Sequence, residues 1–150
     1  MRLSLLVGAL LAVTSPAAAQ ISVSGIRDLA FGAIPVGVAS QVSASDAVKS
    51  GMFRITSGNG RHVRVQFTLP TRLNGPSGAT LPIAFGATDA VATGNAGNSN
   101  PVAFDPSTGQ DFVISASTAI DIFLGGTVSP AANQANGAYA NSIILTVTIQ

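Results

Sequence analysis

Apolar and polar residues alternate with a period of two at several places along the chain, most plainly at its end. Ile143, Leu145, Val147 and Ile149 fall on one face there, and Ile144, Thr146, Thr148 and Gln150 fall on the other. Successive side chains of an extended strand point to opposite sides, so this pattern predicts a strand with one strongly apolar face. The same period sets Val63, Val65, Phe67 and Leu69 against His62, Arg64, Gln66 and Thr68, and Ile120, Ile122 and Leu124 against Asp121 and Phe123. Weaker alternations at 21–23, 29–34, 52–56, 80–85 and 112–115 raise the expectation to about eight strands in an antiparallel sandwich or barrel.

Turn formers separate these segments. Ser57-Gly58-Asn59-Gly60 reads as a hairpin-type turn, because Gly and Asn accept positive φ. Residues 72–78 and 105–109 read as further turn clusters. Two stretches, 88–100 and 40–51, carry no clear pattern, and the first reads as a loop with room for a short strand. No internal repeat of fixed period is visible.

The first nineteen residues stand apart. Met1-Arg2 gives a positive start, Leu3 to Val13 is an apolar run, and Pro16 precedes Ala17-Ala18-Ala19. This is the layout of a secretory signal peptide with a small-residue cleavage site. The run is shorter than the ~20 apolar residues needed to span a bilayer. The expected mature protein is therefore a single β-sandwich domain over 20–150, exported to the periplasm, the cell surface or the medium, with no membrane span.

Charge and composition narrow the function. Cysteine is absent, which excludes a disulfide framework, a thiolate zinc site and a lipid-modified N-terminal cysteine. Glutamate is absent and Lys49 is the only lysine, so the residues that favour exposed helices are scarce. A formal charge of +1 and few aromatics give no footing for nucleic acid. His62 is the only histidine, and no activated nucleophile accompanies it, so no catalytic residue is assigned. Asp105 to Asp111 places oxygen ligands at alternate positions, but it lacks the bidentate Glu of a calcium loop and reads as a turn. No metal or cofactor is expected.

The charges are segregated along the chain. Arg54, Arg61, Arg64 and Arg72 lie in a stretch without acids, whereas Asp89, Asp105, Asp111 and Asp121 lie in a stretch without bases. The first reading is pairing across neighbouring strands of one domain. The second is electrostatic contact between subunits through Arg61 and Arg64, steering head-to-tail association. Gly126 and Gly137 read as backbone devices rather than chemistry. The Tyr139 ring is expected at the sandwich edge, with its hydroxyl bonded to backbone.

Four marks, in order, resemble a family of bacterial secreted domains. They are Leu29-Ala30-Phe31-Gly32; Gly51 to Gly58, with a following strand closing on Leu69-Pro70; Leu124-Gly125-Gly126-Thr127-Val128; and Gly137-Ala138-Tyr139 before the last strand. The family is domain of unknown function family 4402, similar to spore-coat-U and archaic chaperone–usher pilin domains. The resemblance implies an immunoglobulin-like sandwich at the cell surface, and it leaves open whether the final strand is present. In the pilin relatives that strand is missing, and the groove accepts a strand from the next subunit, the logic of β-augmentation.

The resulting expectation is a non-enzymatic, pilin-like or coat-like structural subunit that assembles by strand addition. Its partners would be copies of itself or related surface subunits, with a periplasmic chaperone as a further candidate. Ile143, Leu145, Val147 and Ile149 would wall the assembly groove, and Ile21 and Val23 would be the donor contacts. Against the donor role, 20–27 is short for a free arm, and Ile21 to Ile26 also reads as the domain's own first strand. The alternative function is a self-complete secreted module that binds carbohydrate or protein through loops such as 88–100.

Overall fold

Alternation with one apolar face means that each strand can bury only one side, so two sheets must meet face to face. The computed structural model describes residues 20–94 and 100–150, and it is all-β apart from one 3-10 turn at Pro76–Gly78. The segment read as a signal peptide lies outside the described residues, as do 95–99. Twelve strands follow in chain order: β1 Ile21–Arg27, β2 Ser40–Val42, β3 Gly51–Ser57, β4 Arg61–Thr68, β5 Arg72–Asn74, β6 Thr80–Ala84, β7 Ala90–Thr93, β8 Val102–Phe104, β9 Gln110–Ile114, β10 Thr118–Leu124, β11 Gly126–Val128 and β12 Ile144–Ile149.

They form three antiparallel sheets, ordered β1-β3-β10-β7-β8, β12-β4-β9 and β2-β11-β6-β5. The first two make the sandwich. Ile55, Ala92, Phe104, Ile120 and Ile122 from one sheet share a buried cluster with Val63, Val65, Phe112 and Ile114 from the other. Phe104 and Phe112 close one side of this core edge to face, at 5.4 Å between ring centres. Phe53 and Phe67 meet likewise on the other side, at 5.6 Å. The third sheet covers a smaller cluster of Leu81, Ile83 and Val128, against which Phe31, Ile34, Leu73 and Tyr139 pack. Phe85 touches both clusters.

The order β1-β3-β10-β7 beside β12-β4 matches strands A-B-E-D and F-C of an immunoglobulin sandwich. β9 departs from that scheme, since it follows β7 in sequence yet pairs with β4. Among the described residues no strand occupies the position beyond β12, where strand G would lie.

Three local expectations are corrected. Ser57 to Gly60 is not a hairpin, because β3 pairs with β1 and β10 while β4 pairs with β12 and β9. The turn carries the chain from one sheet to the other, and the Ser57 hydroxyl donates to the Asn59 carbonyl within it. Its turn chemistry is local, and only the burial of both apolar faces decides that the strands oppose each other instead of lying side by side. Residues 29–34 form no strand: Gly32 has a φ of +74°, and Phe31 and Ile34, three residues apart, both reach the smaller cluster. Arg72–Asn74 is strand rather than turn, paired to β6 by a turn over 75–79.

β2, β7, β8 and β11 escaped the pattern because each is only three or four residues long, and β7 and β11 also place small residues inward. In β7 the inward positions are Ala90 and Ala92, both fully buried, and alanine is a weak strand signal. β11 continues β10 across a bend at Gly125. A Cβ there would lie 2.7 Å from the Ala44 amide nitrogen and overlap the Val42 carbonyl, both backbone groups of the adjoining chain. Gly125→Ala should therefore force β2 away from β11 and cost about 1–3 kcal/mol, measurable by chemical denaturation. An unchanged midpoint would mean that the bend has slack.

Candidate functional site

An edge strand with an apolar face exposes two things at once, unpaired backbone groups and uncovered side chains. β12 is such a strand. It pairs with β4 alone, in the register Leu145 opposite Phe67 and Val147 opposite Val65. The Gln150 amide donates to the His62 carbonyl at 2.9 Å. In an antiparallel ladder the direction alternates, so Ile144, Thr146 and Thr148 also turn their backbone groups to β4. Those of Leu145, Val147 and Ile149 face the open edge.

The side chains follow the predicted alternation. Ile143, Leu145 and Val147 are half-buried against the main core, whereas Ile149, at the strand end, is 51% exposed and packs less than a groove wall should. β1 is the facing edge of the opposite sheet and pairs with β3 alone. Here Ile21 lies opposite Ser57 and Val23 opposite Ile55. Ile21 and Val23, expected as donor contacts on a neighbour, therefore sit in their own domain's sheet as its first strand. Ile21 is half-buried against the core, and Val23 is 42% exposed.

Past the end of β1 and the start of β12 the molecule is open, with Gly25, Arg27 and Ile143 among the lining residues and none from β12 itself. A cleft of about 1050 Å³ starts at Gly25, Phe53 and Ile143 and runs towards Leu73, Ile83 and Tyr139. Gly25 lies opposite Phe53 in the ladder, and nothing lies within 4 Å of where its Cβ would be. The absent side chain leaves Phe53 half-buried at the mouth.

Tyr139 secures the far rim. Its hydroxyl donates to the Ala135 carbonyl at 2.7 Å, while the Gln134 amide donates to the Tyr139 hydroxyl and to the Thr80 carbonyl. The Tyr139 ring occupies the space beside Gly75. Gly137, with φ +148° and Pro76 against its Cα, is the backbone device expected of it, as is Gly126, whose missing Cβ makes room for Phe85. Asn74 and Ala140 exchange backbone hydrogen bonds at 2.9 and 3.0 Å, so the chain leading into β12 covers the edge of β5.

The segregated charges pair within the domain. Arg54 and Asp121, opposite each other in β3 and β10, form a bidentate pair at 2.7 and 2.8 Å. Arg64 and Asp111, opposite in β4 and β9, meet at 2.8 Å, and Arg64 also donates to the Thr108 carbonyl. Arg64 is thus already engaged at home. Arg61, at the start of β4, is half-buried and its Nε atom has no partner in the structure. Arg64→Asp would set two carboxylates side by side. We expect a lower thermal midpoint whose deficit shrinks as salt is raised; an unchanged midpoint would show that the pair contributes nothing.

Other aspartates act on turns. Asp105 accepts from the Ser107 hydroxyl at 2.6 Å and the Ser107 amide at 2.8 Å, which hold its carboxyl below the usual range. Asp46 accepts from the Lys49 and Val48 amides, both at 2.8 Å, with the same result. Among the described residues no group of three or more His or acidic residues is placed to hold a metal ion. His62 is exposed on the outer face of β4, in a shallow depression with Asp111 and Val113. No described helix is long and apolar enough to cross a membrane.

Against known proteins, the sequence matches no protein-family model and no curated relative.

Proposed function

We propose that this chain is an exported, non-enzymatic structural subunit that assembles by accepting a strand along the free edge of β12. One observation carries the reading: β12 turns the backbone groups of Leu145, Val147 and Ile149 outward, and Leu145 and Val147 beside them are half-buried apolar side chains at an uncovered edge. Main-chain hydrogen bonds would hold the incoming strand, and its alternate side chains would cover Phe53, Leu145 and Val147. The sequence resemblance to pilin-like domains points the same way. Other copies of this chain or related surface subunits are the partners proposed, with a periplasmic chaperone covering the edge beforehand.

The test is size-exclusion chromatography of the chain without partners, with and without a peptide spanning Gln20 to Asp28. Oligomer ladders or aggregates that the peptide suppresses would support strand addition. A monodisperse monomer indifferent to the peptide would overturn it. That outcome favours the second reading, a self-complete binding module, for which the cleft offers room.

A further inference from the structure

β1 is held to its domain in an uneven way. Ser22, Val23, Ser24, Gly25 and Ile26 are all exposed, and only Ile21 reaches the core. Val23 and Ile26 keep 42% and 51% of their surface in water. Most of the strand is therefore attached by its ladder to β3 and by little apolar burial. The ladder itself breaks between Gly25 and Arg27, where the register shifts by one residue.

Immediately past that break stands Arg27, with an attachment of another kind. Its Nε donates to the Ser50 carbonyl at 2.7 Å, one terminal nitrogen donates to the Ser50 hydroxyl at 2.8 Å, and the other donates to the Ala47 carbonyl. Ser50 is fully buried, and its own hydroxyl donates to the Asp46 carbonyl at 2.6 Å. Asp46 in turn accepts from the amides of Val48 and Lys49, so the acceptors sit on a braced turn. The Ala30 amide bonds to the Lys49 carbonyl just beyond. A guanidinium donating to three oxygens in fixed positions is strongly directional, and charged donors make stronger bonds than neutral ones.

We propose that Arg27 is a latch: its grip on the 46–50 turn sets how readily residues 21–26 peel from β3 as an arm. Release would free the alternating Ile21 and Val23 and uncover the edge of β3 beside Phe53 and Ile55. The consequence for assembly rests on the strand-addition reading, in which the released arm seeks the β12 edge of a second copy. The latch itself does not depend on that reading, since arm opening is a property of one chain.

Native-state hydrogen exchange on the chain, Arg27→Ala and Arg27→Lys tests it. In Arg27→Ala the amides of residues 22–26 that are protected in the wild type should exchange about tenfold faster or more, while those of Ile120 and Ile122 in β10 stay unchanged. Arg27→Lys, which keeps the charge but loses the planar fork, should fall between the two, and it remains informative should the alanine variant not fold. Unchanged exchange in β1 overturns the latch. So does a parallel rise in β1 and β10, which would mean that Arg27 merely supports the whole fold. A selective rise in β1 without faster assembly leaves the latch standing and counts against strand addition instead.

Discussion

Proline at position 147 should abolish strand addition while the sandwich stays folded, whereas proline one residue later should damage the fold itself. The contrast comes from the ladder. The Val147 amide faces the open edge, so losing it takes nothing from β4, and proline is tolerated on edge strands where the amide would point away from the sheet. An incoming strand, however, meets a ring carbon in place of a donor. The Thr148 amide points to β4 opposite Arg64, so Thr148→Pro leaves a ladder acceptor without its partner, at a cost of about 1–3 kcal/mol. Size-exclusion profiles paired with thermal melts of the two variants separate these effects. Continued assembly of Val147→Pro, with a folded melt, would rule out β12 as the accepting edge.

The second large effect is on stability. Ile122→Ala should cost about 2–5 kcal/mol and lower the thermal midpoint by roughly 10 °C or more. Ile122 is fully buried in β10, the strand that pairs with β3 on one side and β7 on the other. Its neighbours in the core come from both sheets of the sandwich, so no single side chain can relax into the space that alanine leaves. The outer-face Val113, 40% exposed, is the control, and Val113→Ala should change stability by less than about 0.5 kcal/mol. Equal effects in urea titrations of the two variants would show that the core is not the one described.

Strand-forming segments were legible wherever large apolar residues alternate over five or more positions, as in β4, β10 and β12. Each has one face more buried than the other, the second being mostly exposed in β4 and β12 and half-buried in β10, and a period of two reports that contrast directly. β7 and β11 were not legible, because Ala90, Ala92 and Gly126 are selected for close packing between layers, and small residues leave no amphipathic signal. The candidate edge was half legible. The apolar face of β12 is plain in the sequence, yet its free side is not, since a buried central strand and an open edge strand can carry the same alternation.

Charge pairing followed the same division. The segregation of arginines over 54–72, a stretch without acids, from aspartates over 89–121, a stretch without bases, is visible in the sequence, and pairing within the domain was the first reading of it. Which arginine meets which aspartate depends on register: β3 with β10 joins Arg54 to Asp121, and β4 with β9 joins Arg64 to Asp111. The latch on β1 was invisible, because two of the three oxygens that hold Arg27 are backbone carbonyls, and backbone acceptors leave no trace in residue identity.

By itself the sequence determined an all-β protein, the strands β4, β10 and β12, the inward face of each and the large apolar residues they bring to the core. Those follow from side-chain chemistry and the two-residue period of an extended chain, which are local. Only the tertiary structure decided that Ser57 to Gly60 crosses between sheets, that Ile21 and Val23 pair at home, and that β12 ends its sheet with a free edge. Those depend on which strands lie beside one another, and pairing is settled by backbone hydrogen bonds that every residue except proline can make equally well.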